Sequence, residues 1–123
     1  MAAVISLGRF VFGAAFIARP KILEGAWIGK QARLPGAQVL ARAVGARDLT
    51  LGLGGLQAAA RDDGSIRPWL AAAAICDAVD FGATYAAGRR IPRQGRNGVL
   101  TIASVASLLS GIAAAASGTK PQG

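Results

Sequence analysis

Histidine is missing from this sequence altogether, and cysteine occurs once, at Cys76. Without imidazole there is no His-based general base, no catalytic triad that needs one, and almost none of the usual zinc, haem or copper ligand sets. A single thiol forms neither an intramolecular disulfide framework nor a thiolate cluster. Acidic residues are scarce too, six against fourteen Lys and Arg, for a formal net charge of +8 and a pI of 11.4. Only 16% of the 123 residues are charged while 53% are hydrophobic, a balance too apolar for an ordinary soluble domain of this length. Aromatics are few as well: four Phe, two Trp and one Tyr. A nucleic-acid binder gathers Lys and Arg on one exposed face, often with aromatics to stack on bases, so no nucleic-acid partner is expected.

What the chain has instead is 28 Ala and 17 Gly. Such a chain packs backbones closely but offers few large side chains for a water-excluded core, which points toward a membrane. Cut at its Pro, Gly and charge clusters, it shows four apolar stretches, at about 2–18, 38–60, 68–88 and 99–117. Arg19-Pro20 stops the first, Pro35-Gly36 precedes the second, and Pro68 suits the opening turn of the third. Each is near the roughly 20 residues that a hydrocarbon layer of about 30 Å requires, the first at the short end. A soluble Ala-rich bundle would place a polar face on every helix. Here the fourth stretch has no charge and the third has charges only at its middle. The first lacks a basic leader and a small-residue cleavage site, which argues against a signal peptide.

Basic residues set the expected topology, because short loops rich in Lys and Arg stay in the cytoplasm. The loop at 19–37 carries Arg19, Lys21, Lys30 and Arg33, and that at 89–98 carries Arg89, Arg90, Arg93 and Arg96. The opposite side has only Arg61, Arg67 and Lys120. The expectation is an all-α protein, a single domain over 1–123 built as a four-transmembrane-helix bundle with both termini outside. In the first loop Ile22, Leu23, Trp27 and Ile28 interleave with Lys21, Glu24 and Lys30, which fits a short helix at headgroup level or a plain loop with snorkelling lysines. Trp27 would anchor it on the cytoplasmic side, and Trp69 would mark the outer interface. The basic segment at 89–96 reads as a topology signal, with attraction to anionic headgroups as the alternative.

Six charged residues fall inside the apolar stretches: Arg9, Arg42, Arg47, Asp48, Asp77 and Asp80. They sum to zero, and left unpaired near helix centres they would cost on the order of 15 to 20 kcal/mol at insertion-scale values. Pairing is close to obligatory. Arg9, Asp48, Asp77 and Asp80 lie near the middles of the first three stretches and can meet at one level. Arg42 sits five residues before Arg47, roughly 7.5 Å nearer the cytoplasm, where it could line an approach. Asp77, Asp80 and Thr84 recur at three and four and so share a face. Ala41, Gly45, Asp48, Gly52 and Gly55 form a smooth packing face, and Ala103, Ser107, Gly111 and Ala115 repeat the device in the fourth stretch. Gly54-Gly55 is a candidate loosening point in the second. Cys76 reads as a small packing residue.

The Asp77 and Asp80 pair admits a shared proton, hence a general acid, a relay or a cation site, or else a strut that only fixes the helices. Three acids could ligate a hard cation, but three competing arginines argue against a metal, and no cofactor is expected. The candidate polar site is therefore Arg9, Arg42, Arg47, Asp48, Asp77, Asp80 and Thr84.

Gly8-Arg9, the run from Arg42 through Gly45 to Arg47-Asp48 and on to Leu51-Gly52, and Asp77-Ala-Val-Asp80 carry a resemblance. Over roughly 8–88 the chain resembles the small four-helix integral-membrane proteins of unknown function common in actinobacteria, and more distantly the DoxX-like membrane proteins. The resemblance implies a four-span protein of the bacterial inner (cytoplasmic) membrane and implies no particular mechanism. Three functions remain open. A binding or permeation module would take a small or amphipathic ligand or pass protons. An intramembrane isomerase or cyclase would donate a proton from Asp77 or Asp80 while Arg9 or Arg47 steadies an anion. An accessory subunit would use its charges only to fix its helices or to dock a larger membrane partner. Beyond the lipid bilayer itself, so little mass outside it favours a homo-oligomer or a larger membrane-protein partner.

Overall fold

The structure, a computed structural model, describes residues 1–61 and 65–117. Asp62, Asp63, Lys120 and the side chain of Leu23 lie outside the described residues. Within them the chain is helical throughout, without a strand: α1 (Ala2–Ala18), α2 (Pro20–Ile28), α3 (Pro35–Arg61), α4 (Ile66–Ala87) and α5 (Arg93–Ala116). Short 3-10 turns at Gly29–Arg33 and Gly88–Arg90 precede α3 and α5.

Local chemistry explains the breaks. Arg19 leaves the helical region at φ −135°, ψ 58°, and Pro20 opens α2, so the chain turns by 100° between α1 and the segment that follows. Gly29 and Gly88 end α2 and α4 with φ of 70° and 55°, a conformation other residues adopt only under strain. The first loop thus holds a helix, not a plain loop. The supposed loop at 89–98 is mostly helix as well. Pro92 starts α5 at Arg93, six residues before the expected start near Val99, since Arg and Gln enter a helix readily and a charge cluster marks only the end of an apolar run. α3 likewise runs unbroken through Gly54-Gly55, which corrects the expected loosening there.

Two helices are long and apolar enough to cross a membrane, Ile66–Arg90 and Arg93–Ala116, with mean hydropathies of 1.3 and 2.0. α1 has 17 residues and α3 carries Arg42, Arg47 and Asp48 along its 27, so neither stands out by length and apolarity in the same way. The surface is nevertheless apolar on all four long helices. Leu7, Val39, Val79 and Ile102 are among many large apolar side chains left exposed, while the buried set is mainly Ala, Gly and Ser, with Phe16, Ile66 and Leu70 the larger apolar members. An exterior greasier than the interior is unlike that of a soluble monomer, which rarely exposes large contiguous apolar patches.

The helices pack as two tight pairs, α1 along α3 and α4 along α5. The α3/α4 contact is thinner, and α1 barely touches α5. Between α1 and α3 the backbones themselves meet. A Cβ on Gly13 would strike the backbone of Leu49, and one on Gly52 the backbones of Ser6 and Phe10. The expected face of Ala41, Gly45, Asp48, Gly52 and Gly55 is buried throughout. In α5 the expected face is corrected. Ala103, Ser110, Ala113 and Ala114 are buried, Ser107 is half-buried, and Gly111 and Ala115 are exposed. Strict steps of four advance about 40° each around a 3.6-residue helix, so such a ladder drifts off the contact face. Ser107 donates to the carbonyl of Ala74 at 3.0 Å, joining α5 to α4. One end of the assembly closes on Ala58, Ile66, Leu70, Ala113 and Ala114.

Candidate functional site

Arg9 projects from mid-α1 between α3 and α4. Its Nη1 donates to Asp48 Oδ1 at 2.6 Å, and its Nη2 donates to Asp77 Oδ2 and to the carbonyl of Ala73, the latter at 3.2 Å. Arg47, on α3, donates to both oxygens of Asp80, at 3.0 and 2.7 Å, and lies 3.4 Å from Asp48. The result is one chain of charge across three helices, running Asp80, Arg47, Asp48, Arg9, Asp77. It is well shielded: side-chain exposure is 10% for Arg9, 5% for Asp48 and 10% for Asp77, rising to 27% and 20% for Arg47 and Asp80. Helical spacing produces it, since Asp77 and Asp80 lie one turn apart on α4 and face α3 together.

Two expected members stand apart. Arg42 is exposed and makes no ion pair among the described residues, because six residues of helix leave it about 120° around the axis from Asp48. The cluster therefore holds three carboxylates and two guanidiniums, a formal charge of −1 rather than zero. Thr84 is buried on the expected face but serves α2 instead, accepting a hydrogen bond from Trp27 Nε1 at 3.2 Å. Trp27 is thus an internal clasp rather than a free interface anchor. Beside it the carbonyls of Ala26 and Trp27 sit directly on Gly95 of α5, where any Cβ would collide. Trp69 lies against Gly54. Cys76 is half-buried and outside the network. Among the described residues no three acidic or thiol side chains converge as a metal site.

Because α1 and α5 barely touch, a groove of about 820 Å³ separates them. Asp48, Asp77, Asp80 and Arg9 form its polar wall, and Phe12 and Phe16 of α1, Val99 and Ile102 of α5, and Gly25, Ala26 and Trp27 of α2 also line it. Val4, Phe12, Ile102 and Leu109 line the groove and are also exposed, so it opens sideways onto the apolar exterior. Gly8 and Gly98 line it with open space where a side chain would stand. Sequence gave no sign of this groove, since helix pairing is a tertiary property. Nor did it foretell that Glu24 on α2 would be buried, with Oε2 unpartnered and its carboxyl raised above the ordinary 4.5 by that burial.

No protein-family model matches the chain, and neither does a curated protein or a solved structure. What the protein does must follow from the geometry of the site.

Proposed function

We propose that the chain is a four-span integral-membrane protein, both termini outside, that holds a small amphipathic molecule in the α1/α5 groove with its polar end against the Arg/Asp network. The observation that carries this is the groove itself, a cleft of about 820 Å³ with an apolar mouth on the exterior and three carboxylates in its wall. Ligand sites are commonly concave, mostly apolar and provided with a few convergent polar groups, and intramembrane ionisable residues mark such sites by default. In this arrangement α2 lies at headgroup level. Arg42, two turns from the Pro35 end of α3, snorkels to the same level. That topology agrees with the resemblance to small four-helix membrane proteins of the bacterial inner membrane.

A strut role is favoured by a separate observation: the network joins the α1/α3 pair to α4, where packing is thin. The two roles coexist, since a wall that binds must also hold its shape.

The test uses the two tryptophans. In Trp69→Phe protein the indole that remains is Trp27, which lines the groove. A brominated-chain amphiphile in a neutral detergent should quench it saturably, and Gly98→Leu, which fills open space in the groove, should abolish the saturable phase with helicity unchanged. Quenching that stays linear in amphiphile, or is indifferent to Gly98→Leu, contradicts the proposal.

A further inference from the structure

The ion-pair network behind the groove is short of one positive charge. Asp48, Asp77 and Asp80 line the groove with a single guanidinium, that of Arg9, among the described residues, while Arg47 supports Asp48 and Asp80 from outside the lining. The count is uneven at a particular atom. Arg9 engages Asp77 through Oδ2, and Oδ1 of the same carboxylate accepts no hydrogen bond from any described residue, although Asp77 is only 7% exposed. Oδ1 is not among the fully buried polar atoms that lack a partner, so it keeps accessible surface on the groove, where a largely shielded, part-satisfied carboxylate is a strong acceptor for an arriving donor.

The complement is narrow. A divalent metal wants six or more oxygens for calcium or near-ideal octahedral geometry for magnesium, and no three acidic side chains converge here. An anionic head would face a wall with more carboxylates than guanidiniums. A single ammonium supplies one charge and three donors in a compact head. The remainder of the groove is mostly apolar, with Val4, Phe12, Val99, Ile102 and Leu109, takes in Trp27 and the polar Gln94, and opens to the exterior. The geometry points to a lipid-soluble primary amine as the ligand class, its ammonium on Asp77 Oδ1 and its alkyl chain running between α1 and α5. Binding makes the network neutral, three carboxylates against two guanidiniums and one ammonium. This inference rests on the groove being a binding site, as proposed above.

The experiment compares amphiphiles of one chain length on the purified full chain carrying Trp69→Phe. Dodecylamine, dodecanol and dodecanoate compete, at equal mole fraction in a neutral detergent, with the brominated probe that quenches Trp27. Dodecylamine should displace the probe at a concentration about tenfold below dodecanol, with dodecanoate the weakest. Asp77→Asn should reduce the preference for amine over alcohol to less than about twofold. If that variant does not fold, the ranking of the three amphiphiles on the parent protein decides alone. Dodecanol or dodecanoate competing as well as the amine overturns the inference and leaves the groove standing. Absence of any saturable quenching removes the groove as a binding site, and the inference with it.

Discussion

α3 has two seams, and they are built from opposite chemistry. Toward α1 it presents Gly45 and Gly52, and the backbones touch with no room for another carbon. Toward α4 it presents Arg47, whose ion pair with Asp80 crosses a thinner interface, while Asp48 holds Arg9 of α1, which in turn reaches Asp77 of α4. The first seam gains from dispersion between close backbones, which needs only small residues. The second needs specific partners and tolerates a gap beside it. The groove is lined by Asp48, Asp77 and Asp80 of the ionic network and by none of the seam glycines Gly13, Gly45 and Gly52.

Breaking the ionic seam at its hub should have the largest effect. Arg9→Met leaves Asp48 and Asp77 without their main partner, and we expect a loss of about 4 kcal/mol, read as the unfolding midpoint in a denaturing-detergent titration. Arg47→Met removes a more exposed cation and should cost less, about 1 to 2 kcal/mol, in the same titration. The glycine seam should break differently. Gly52→Leu drives a side chain into the backbones of Ser6 and Phe10 and should cost about 3 kcal/mol, whereas Gly98→Leu, in open space, should leave stability unchanged. Equal costs for the two leucines would erase the distinction between seam and groove.

Smaller effects sharpen the comparison at α2. Thr84→Val removes the acceptor for Trp27 and should cost about 1 kcal/mol, with a red-shifted Trp27 emission in Trp69→Phe protein as the readout. Glu24 gives a pH signature. Burial raises its carboxyl above 4.5, so the folded state binds the proton more tightly than the unfolded one. Its contribution is fully present below 4.5 and is lost as pH climbs through the raised folded value. Glu24→Gln should flatten that decline in a melting series across pH, and an unchanged slope would assign it to another group.

Much of this was legible from residues alone. Three acids and three arginines inside apolar stretches demanded partners, and Asp77 and Asp80 one turn apart announced a shared face. The buried face of α3 could be named residue by residue because glycines at helical spacing have few other uses in a helix. Arg42 was misplaced because depth along a helix says nothing of rotation around it, and five residues from Arg47 turn it outward. The α5 ladder failed for the related reason that steps of four drift. Trp27 gave no sign of its bond to Thr84, since nothing local ties the first loop to α4.

The most direct test of the central claim, that the network is the wall of a groove open to hydrocarbon, is modification by a lipid-soluble carbodiimide, mapped by mass spectrometry beside a water-soluble one. A carboxyl reached through the groove should react with the lipid-soluble reagent alone, giving one adduct at Asp48, Asp77 or Asp80, and Gly98→Leu should suppress it. No network adduct in the parent protein, or an equal yield in Gly98→Leu, would contradict the account and leave the charges as a sealed strut.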